Sequence, residues 1–427
     1  MMIAMYLRGS KWSVRSRPKR RSNPIFIAVL VGLIGVALYF NQVVVPTIPP
    51  IGIPTTTPTR SPESFLSEAD QLYREGKLSQ SIAAYKQAIA SDPYNTATYV
   101  TLARIQVFAG QYQEAIVNAQ NALLKNPNNP LAHAVLGWAQ GFTGDYLSAE
   151  ASIKRALELD PNNALAHAYY AEILINQGNI DDLDKAIEES RVAMQLDASL
   201  LEVRRARGIV LLNTGRDNLD QAINEFKAAI ALNSKIADLH LYLGYAYKLK
   251  GDNDLAVEEL LAAFSLNPND WTSLAEISFA YANEGQYGKA AQYAEQAMKV
   301  EPSNPKLHGN LGIMYYRNQE MSKAVKELEL AVRGGVTDDG VSVQGLPLDY
   351  GTVAQYYWFY GFALAKTNRC NEAVQVFQTL ISGVPDDPLA VENANAGLEL
   401  CMELASTATP NVPTTTETPP AGTTPTP

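Results

Sequence analysis

Residues 103–129 read ARIQVFAGQYQEAIVNAQNALLKNPNN, and this stretch returns along the chain at a fixed interval. It carries small residues at Ala103, Ala115 and Ala122, a glycine at Gly110, an aromatic at Tyr112 and a proline at Pro127. A shift of 34 residues puts the same roles on Gly137, Gly144, Tyr146, Ala149, Ala156 and Pro161. The reverse shift puts them on Ala69, Gly76, Leu78, Ser81, Ala88 and Pro93. A period in the thirties marks a solenoid of stacked units. After Gly110, the apolar residues Tyr112, Ala115, Ile116, Ala119, Ala122 and Leu123 recur at three- and four-residue steps, the pattern of an amphipathic helix. Gly110 suits a left-handed helix stop, and Pro127 closes the second helix. Each unit reads as helix, turn, helix, with an apolar face that only its neighbours can bury.

The pattern resembles the tetratricopeptide (TPR) family. The small residue of helix A appears as Ala69, Ala103, Gly137, Ala171, Gly208, Gly244, Ser278, Gly312 and Gly361. The first small residue of helix B runs from Ser81 and Ala115 to Ala324 and Ala373, and the second from Ala88 to Ala331, with Leu380 departing. The closing proline is kept at Pro93, Pro127, Pro161, Pro268, Pro302 and Pro385, while Ala198, Ser234 and Val336 replace it elsewhere. The resemblance implies an all-α, right-handed TPR superhelix of nine units over residues 62–387, with a cap helix at 388–405. Spacing stretches to 37 residues between Ala171 and Gly208, 36 between Gly208 and Gly244, and 49 between Gly312 and Gly361. The first two additions fall in the turn between helices, where a longer loop is tolerated. The third, GGVTDDGVSVQGLPLDYG at 334–351, is rich in turn formers.

Charge is distributed unevenly. Residues 1–60 hold eight of the 34 Lys and Arg and no acid, so the remainder carries 26 bases against 44 acids. An acidic body argues against nucleic acid as a partner. The basic segment 1–23 precedes an apolar run at 24–45, PIFIAVLVGLIGVALYFNQVVV, broken only by Asn41 and Gln42. About 20 apolar residues span a bilayer, more than the core of a cleavable signal needs. The expectation is an uncleaved signal-anchor, bases in the cytoplasm and the repeats outside, with a cleaved signal peptide as the alternative. The Pro/Thr stretches 46–61 and 406–427 read as extended spacers.

Catalytic motifs are missing: no HExxH, GxSxG, Walker loop or helix-opening GxGxxG occurs. His133, His167, His240 and His308 each stand four residues before a helix-A small residue. One repeat-equivalent position reads as packing rather than as a metal or catalytic cluster. The TDDG stretch lacks the alternating ligands and terminal Glu of a calcium loop. The expectation is therefore a protein without enzymatic activity, cofactor or metal.

What remains is a surface. In the TPR family the residue after the helix-A small residue, and those one turn later, face a concave groove. Carried over unit by unit, these positions place Phe108, Trp138, Phe142, Tyr245, Phe279 and Tyr316 in it, without the Lys/Asn ladder of the family's carboxylate clamp. The implied partner is a protein that lays an extended, partly apolar peptide in the groove. The chain then looks like a membrane-anchored, extracytoplasmic scaffold in bacterial envelope assembly or secretion. Two readings stay open beside it: an adapter subunit of a transferase or hydrolase complex, and a self-associating surface protein. Lastly, Cys370 and Cys401 are equidistant from the turn at Val384–Asp387, so antiparallel helices would bring them to the same height as a candidate disulfide. The bland alternative is two free thiols.

Overall fold

A computed structural model describes residues 23–40, 42 and 60–407; the basic segment before Asn23, most of the first spacer and the tail beyond Thr407 lie outside it. The chain divides into two units, Met1–Arg60 and Ser61–Pro427.

In the first unit α1 spans Pro24–Tyr39. Asn23 caps it by accepting from the Ile25 amide at 3.2 Å, and a proline fills its first position. All 16 of its residues are exposed. Sixteen residues rise about 24 Å, short of a hydrocarbon core of about 30 Å. Among the described residues no helix is long and apolar enough to cross a membrane. The α-helix thus covers sixteen residues of the run expected at 24–45, with Phe40 and Gln42 beyond it in π-helical backbone and Asn41 outside the described residues. Residues 43–45 lie outside the described residues.

The second unit holds nine helix pairs and a final helix. The pairs are α2 (Pro62–Arg74) with α3 (Leu78–Ser91), α4 (Thr96–Phe108) with α5 (Tyr112–Lys125), α6 (Pro130–Phe142) with α7 (Tyr146–Leu159), and α8 (Ala164–Gln177) with α9 (Leu183–Asp197). Then follow α10 (Leu201–Asn213) with α11 (Leu219–Leu232), α12 (Ala237–Lys250) with α13 (Asn253–Leu266), and α14 (Trp271–Asn283) with α15 (Tyr287–Val300). The last are α16 (Pro305–Arg317) with α17 (Met321–Arg333), α18 (Thr352–Lys366) with α19 (Cys370–Gly383), and α20 (Pro388–Thr407). Together they form an all-α repeat solenoid.

The sequence explains these elements locally. Asn95, Asn129 and Asn163, which follow the closing proline, cap the next helix A by accepting from Thr98, Ala132 and Ala166. Gly110 turns helix A into helix B at φ +72°, and the two non-glycine residues in that register, Gln319 and Asn368, adopt the same left-handed backbone. The small residues permit close contact: a Cβ on Gly137 would stand 2.8 Å from the Ala149 carbonyl. Where serine replaces them, Ser81 and Ser278 donate to Ala69 and Ala290 carbonyls at 2.8 Å, so the hydroxyl is satisfied. The two short insertions form 3-10 turns at Ile180–Asp182 and Arg216–Asn218. The long one forms a small antiparallel hairpin, β1 (Gly335–Val336) with β2 (Ser342–Val343). It returns to the core through Leu346 and Leu348, and the Tyr357 hydroxyl donates to the Leu346 carbonyl.

The superhelix also meets itself. Tyr73 and Phe108, from the first two pairs, pack into one apolar cluster with Leu201, Ala229, Ile236 and Leu239 from the fifth and sixth. A Cβ on Gly76 would stand 2.7 Å from Lys235 Cβ. Arg104 forms an ion pair with Glu202, 98 positions away.

Candidate functional site

Helix A of each unit faces inward, so the inner face is built by α2, α4, α6, α8, α10 and their successors. Over the first half this face is filled. Trp138 is 1% exposed; it lies flat on Tyr169 (centroids 4.3 Å, 6° between planes) and edge-on to Phe108 at 5.3 Å. Its indole Nε1 donates to Glu172 at 2.7 Å. Glu172 in turn pairs with the buried guanidinium of Arg205, whose Nε and Nη2 reach Asp238 at 2.7 and 2.5 Å. That guanidinium lies 5.8, 6.0 and 5.4 Å from the rings of Trp138, Phe142 and Tyr242.

The electrostatics follow from burial. Desolvation opposes the Arg205 charge, but Asp238 and then Glu172 outweigh it and raise its pKa well above the ordinary value. Burial, against the pull of Arg205, raises the Glu172 pKa. Next to this cluster, Tyr73 is pushed up to about 12, first by burial and then by Glu202. A buried pair of this kind adds little net stability, but losing one partner strands the other. The two partners of Arg205 come from the units on either side, Glu172 on α8 and Asp238 on α12.

The inner face opens further along. Ile175, Ile209, Leu212, Leu241, Tyr242, Tyr245, Leu249, Thr272 and Glu276 line a groove of about 640 Å³. Tyr245 is 36% and Leu249 39% exposed. Lys248 spans from Glu276 to the face of Tyr245, 4.3 Å from the ring.

The six expected groove residues thus separate. Trp138 is sealed, while Phe108 and Phe142 are half-buried beside it, Phe108 also in the cluster where distant units meet. This corrects the expectation of an open groove over the second and third units: Arg205 and the sixth unit close in on these rings there and leave an enclosed cavity instead. Tyr245 stands in the open groove. Phe279 is half-buried with Lys248 5.6 Å above its ring, and Tyr316 is half-buried, edge-on to Phe359 at 5.1 Å. Cys370 and Cys401 stand unbonded in this structure and meet across α19 and α20. Burial, then the neighbouring Cys370 sulfur, pushes the Cys401 thiol up to about 12.

Sequence reading passed over Arg205, Asp238 and Tyr242. A signal existed for the first: Arg205 stands three residues before Gly208, where the same register elsewhere carries Ala134, Ala168 and Leu241. An arginine among such residues in helix A is a buried charge in search of a partner.

Among the described residues, no group of three His, Cys, Asp or Glu side chains is placed to hold a metal. The fold and this inner face define a helical-repeat scaffold suited to protein–protein interaction. A tetratricopeptide-repeat model matches residues 72–140, 143–182 and 281–338, and a second such model matches 205–270. Together they span more than half of the sequence, and the chain belongs to the tetratricopeptide-repeat proteins. No curated protein matches it. Among solved structures it is similar to the APC/C hetero-tetramer Cut9-Hcn1, at 17% identity over 59% of this chain and 55% of that one, TM-score 0.45. This chain thus spans about half the length of that one. It is also similar to a tetratricopeptide repeat protein from Parabacteroides merdae ATCC 43184, at 16% identity over 59% of this chain and 98% of that one, TM-score 0.38. A third is MamA, at 26% identity over 41% of this chain and 92% of that one, TM-score 0.33.

Proposed function

We propose that the protein is a membrane-anchored scaffold that holds an extended, partly apolar segment of a partner protein in the groove around Tyr245, with its repeats outside the cytoplasm. The observation that carries the reading is the groove itself. Ile209, Leu212, Tyr245 and Leu249 line it, and Tyr245 and Leu249 leave apolar surface exposed there. A concave apolar surface with few polar groups is the usual form of a binding site, and its volume falls in the ordinary range of about 300–1,000 Å³.

The anchor is supported by α1. Its side chains are all exposed, none is charged, and it follows a segment with seven bases and no acid. Exposed apolar surface on that scale needs a non-aqueous neighbour. Bases on one flank favour the cytoplasm for the N-terminus.

Site-specific photo-crosslinking in native membranes tests the binding site. A crosslinker at Leu249 should trap one partner repeatedly, while one at the exposed Leu147 on the opposite face should not. Tyr245→Ala should weaken that capture, since a contact residue at the centre of an interface is worth about 2 kcal/mol or more. Equal trapping from both faces would overturn the groove reading. A periplasm-active reporter fused after residue 60 tests the topology separately: no signal from it would overturn the extracytoplasmic placement.

A further inference from the structure

Beside the open groove lies a second, more enclosed cavity of about 340 Å³. The turn at Phe108–Tyr112, the end of α6, the start of α12 and the segment Asn267–Ser273 surround it. Its walls are aromatic. Tyr112 and Phe142 stack in parallel, 4.8 Å apart and 4° between planes, and Tyr242 faces it from α12.

Its charged groups are two carboxylates and one guanidinium, beside the neutral Asn267, Thr272 and Ser273. Asp238 lines the cavity with one carboxylate oxygen on Arg205. Asp270 lines it too, its Oδ1 accepting from the Thr272 amide at 2.9 Å and hydroxyl at 2.6 Å as the cap of α14. Among the described residues Asp270 has no ion-pair partner. The one cation in the wall, Arg205, already faces two carboxylates, Glu172 and Asp238. The cavity wall therefore holds two carboxylates, Asp238 and Asp270, against one guanidinium that is also paired with the buried Glu172. Burial raises the Tyr112 pKa most; Asp238 and Asp270 add to the rise, and Arg205 opposes it.

Aromatic faces and unneutralised carboxylates favour the same kind of guest. A cation over a ring gains about 0.5–2 kcal/mol, more where water is excluded. An apolar guest would strip water from Asp238 and Asp270 and return nothing. An anion would meet the carboxylates directly. The cavity also adjoins the groove, since Leu241, Tyr242 and Thr272 line both.

We propose that this cavity receives the basic side chain, lysine or arginine, of the partner segment lying in the groove. The inference rests on the groove reading, and adds to it a charge requirement and a fixed register. The aliphatic stem would lie along Tyr112 and Phe142, and the charged end would reach Asp270. A volume near the lower limit for ligand sites suits one side chain rather than a whole small molecule.

Fluorescence anisotropy on the detergent-solubilised full chain tests it. Two labelled pentapeptides share an alternating leucine–alanine sequence and differ at one end, arginine against norleucine. The arginine peptide should bind at least about tenfold tighter, the worth of one cation–π contact with an ion pair. Asp270→Asn keeps an oxygen to cap α14 and removes the charge. It should abolish that preference, as should high salt, while norleucine binding stays unchanged. Tyr245→Ala should weaken both peptides equally. Equal affinity of the two peptides, or an unchanged preference in Asp270→Asn, overturns the proposal and leaves the groove standing. A preference lost in Asp270→Asn but indifferent to Tyr245→Ala supports the cavity and sinks the groove. Binding of neither peptide overturns both.

Discussion

Removing Arg205 is the sharpest test of why the superhelix closes on itself. Arg205→Met keeps much of the side chain's apolar bulk but takes the guanidinium from Glu172 and Asp238. Asp238 keeps contact with water, its side chain being 28% exposed. Glu172 does not: its side chain is 1% exposed, and only the Trp138 indole remains to serve it. Stranding one member of a buried pair costs about 3–5 kcal/mol, several times the value of a surface ion pair. The repair is specific. Adding Glu172→Gln removes the stranded charge while its carbonyl can still accept from Trp138, so the double variant should return to within about 1–2 kcal/mol of the parent. Urea unfolding of the repeat body gives the total. Hydrogen exchange should localise the loss to α6, α8 and α10, since solenoid stability is a sum of neighbouring terms. The deficit of the single variant should shrink as pH falls, because a proton can neutralise the abandoned carboxylate. A single variant costing under about 1 kcal/mol, or a double variant less stable than the single, would refute the argument.

Three histidines should make stability depend on pH. His167, His240 and His308 each place Nδ1 2.6 Å from a carboxylate (Glu189, Glu259, Glu327) and Nε2 within 3.1 Å of a carbonyl, so both ring nitrogens must donate and the ring is held as imidazolium. The glutamates raise all three pKa values, at His167 and His308 against the larger opposing effect of burial. The added stability should be complete below the ordinary histidine pKa of about 6.5 and lost as pH rises through the raised values; Glu→Gln at all three sites should flatten this slope in thermal unfolding, and an unchanged slope would contradict it. Mild oxidation should link Cys370 to Cys401, raising stability by roughly 3 kcal/mol for a loop of about 30 residues; two labelled thiols per unfolded, unreduced chain after oxidation would rule the bridge out. Gly361 touches the Phe377 ring, where an added Cβ would meet Cε1 at 2.5 Å. Gly361→Ala should cost about 1–3 kcal/mol by overpacking, and Phe377→Leu in the same chain should recover part of it; additive losses in chemical denaturation would count against the clash.

Much of this molecule was legible in one dimension. The interval from Ala103 to Gly137, the small residues and the turn glycines specify helix, turn and neighbour packing, because each of those interactions lies within a unit or between adjacent units. Even the meeting of Cys370 and Cys401 followed from counting around one turn. The inner face was not legible in that way. Trp138 and Tyr245 occupy one register in their repeats, yet one is sealed and the other open. The difference arises because small rotations between successive units accumulate until the second pair meets the fifth and sixth. Arg104 finds Glu202 through that accumulated curvature, and nothing in the spacing of 98 residues announces it. Local sequence sets each step of the superhelix; only the sum of the steps decides which groove residues face a partner and which face the chain itself.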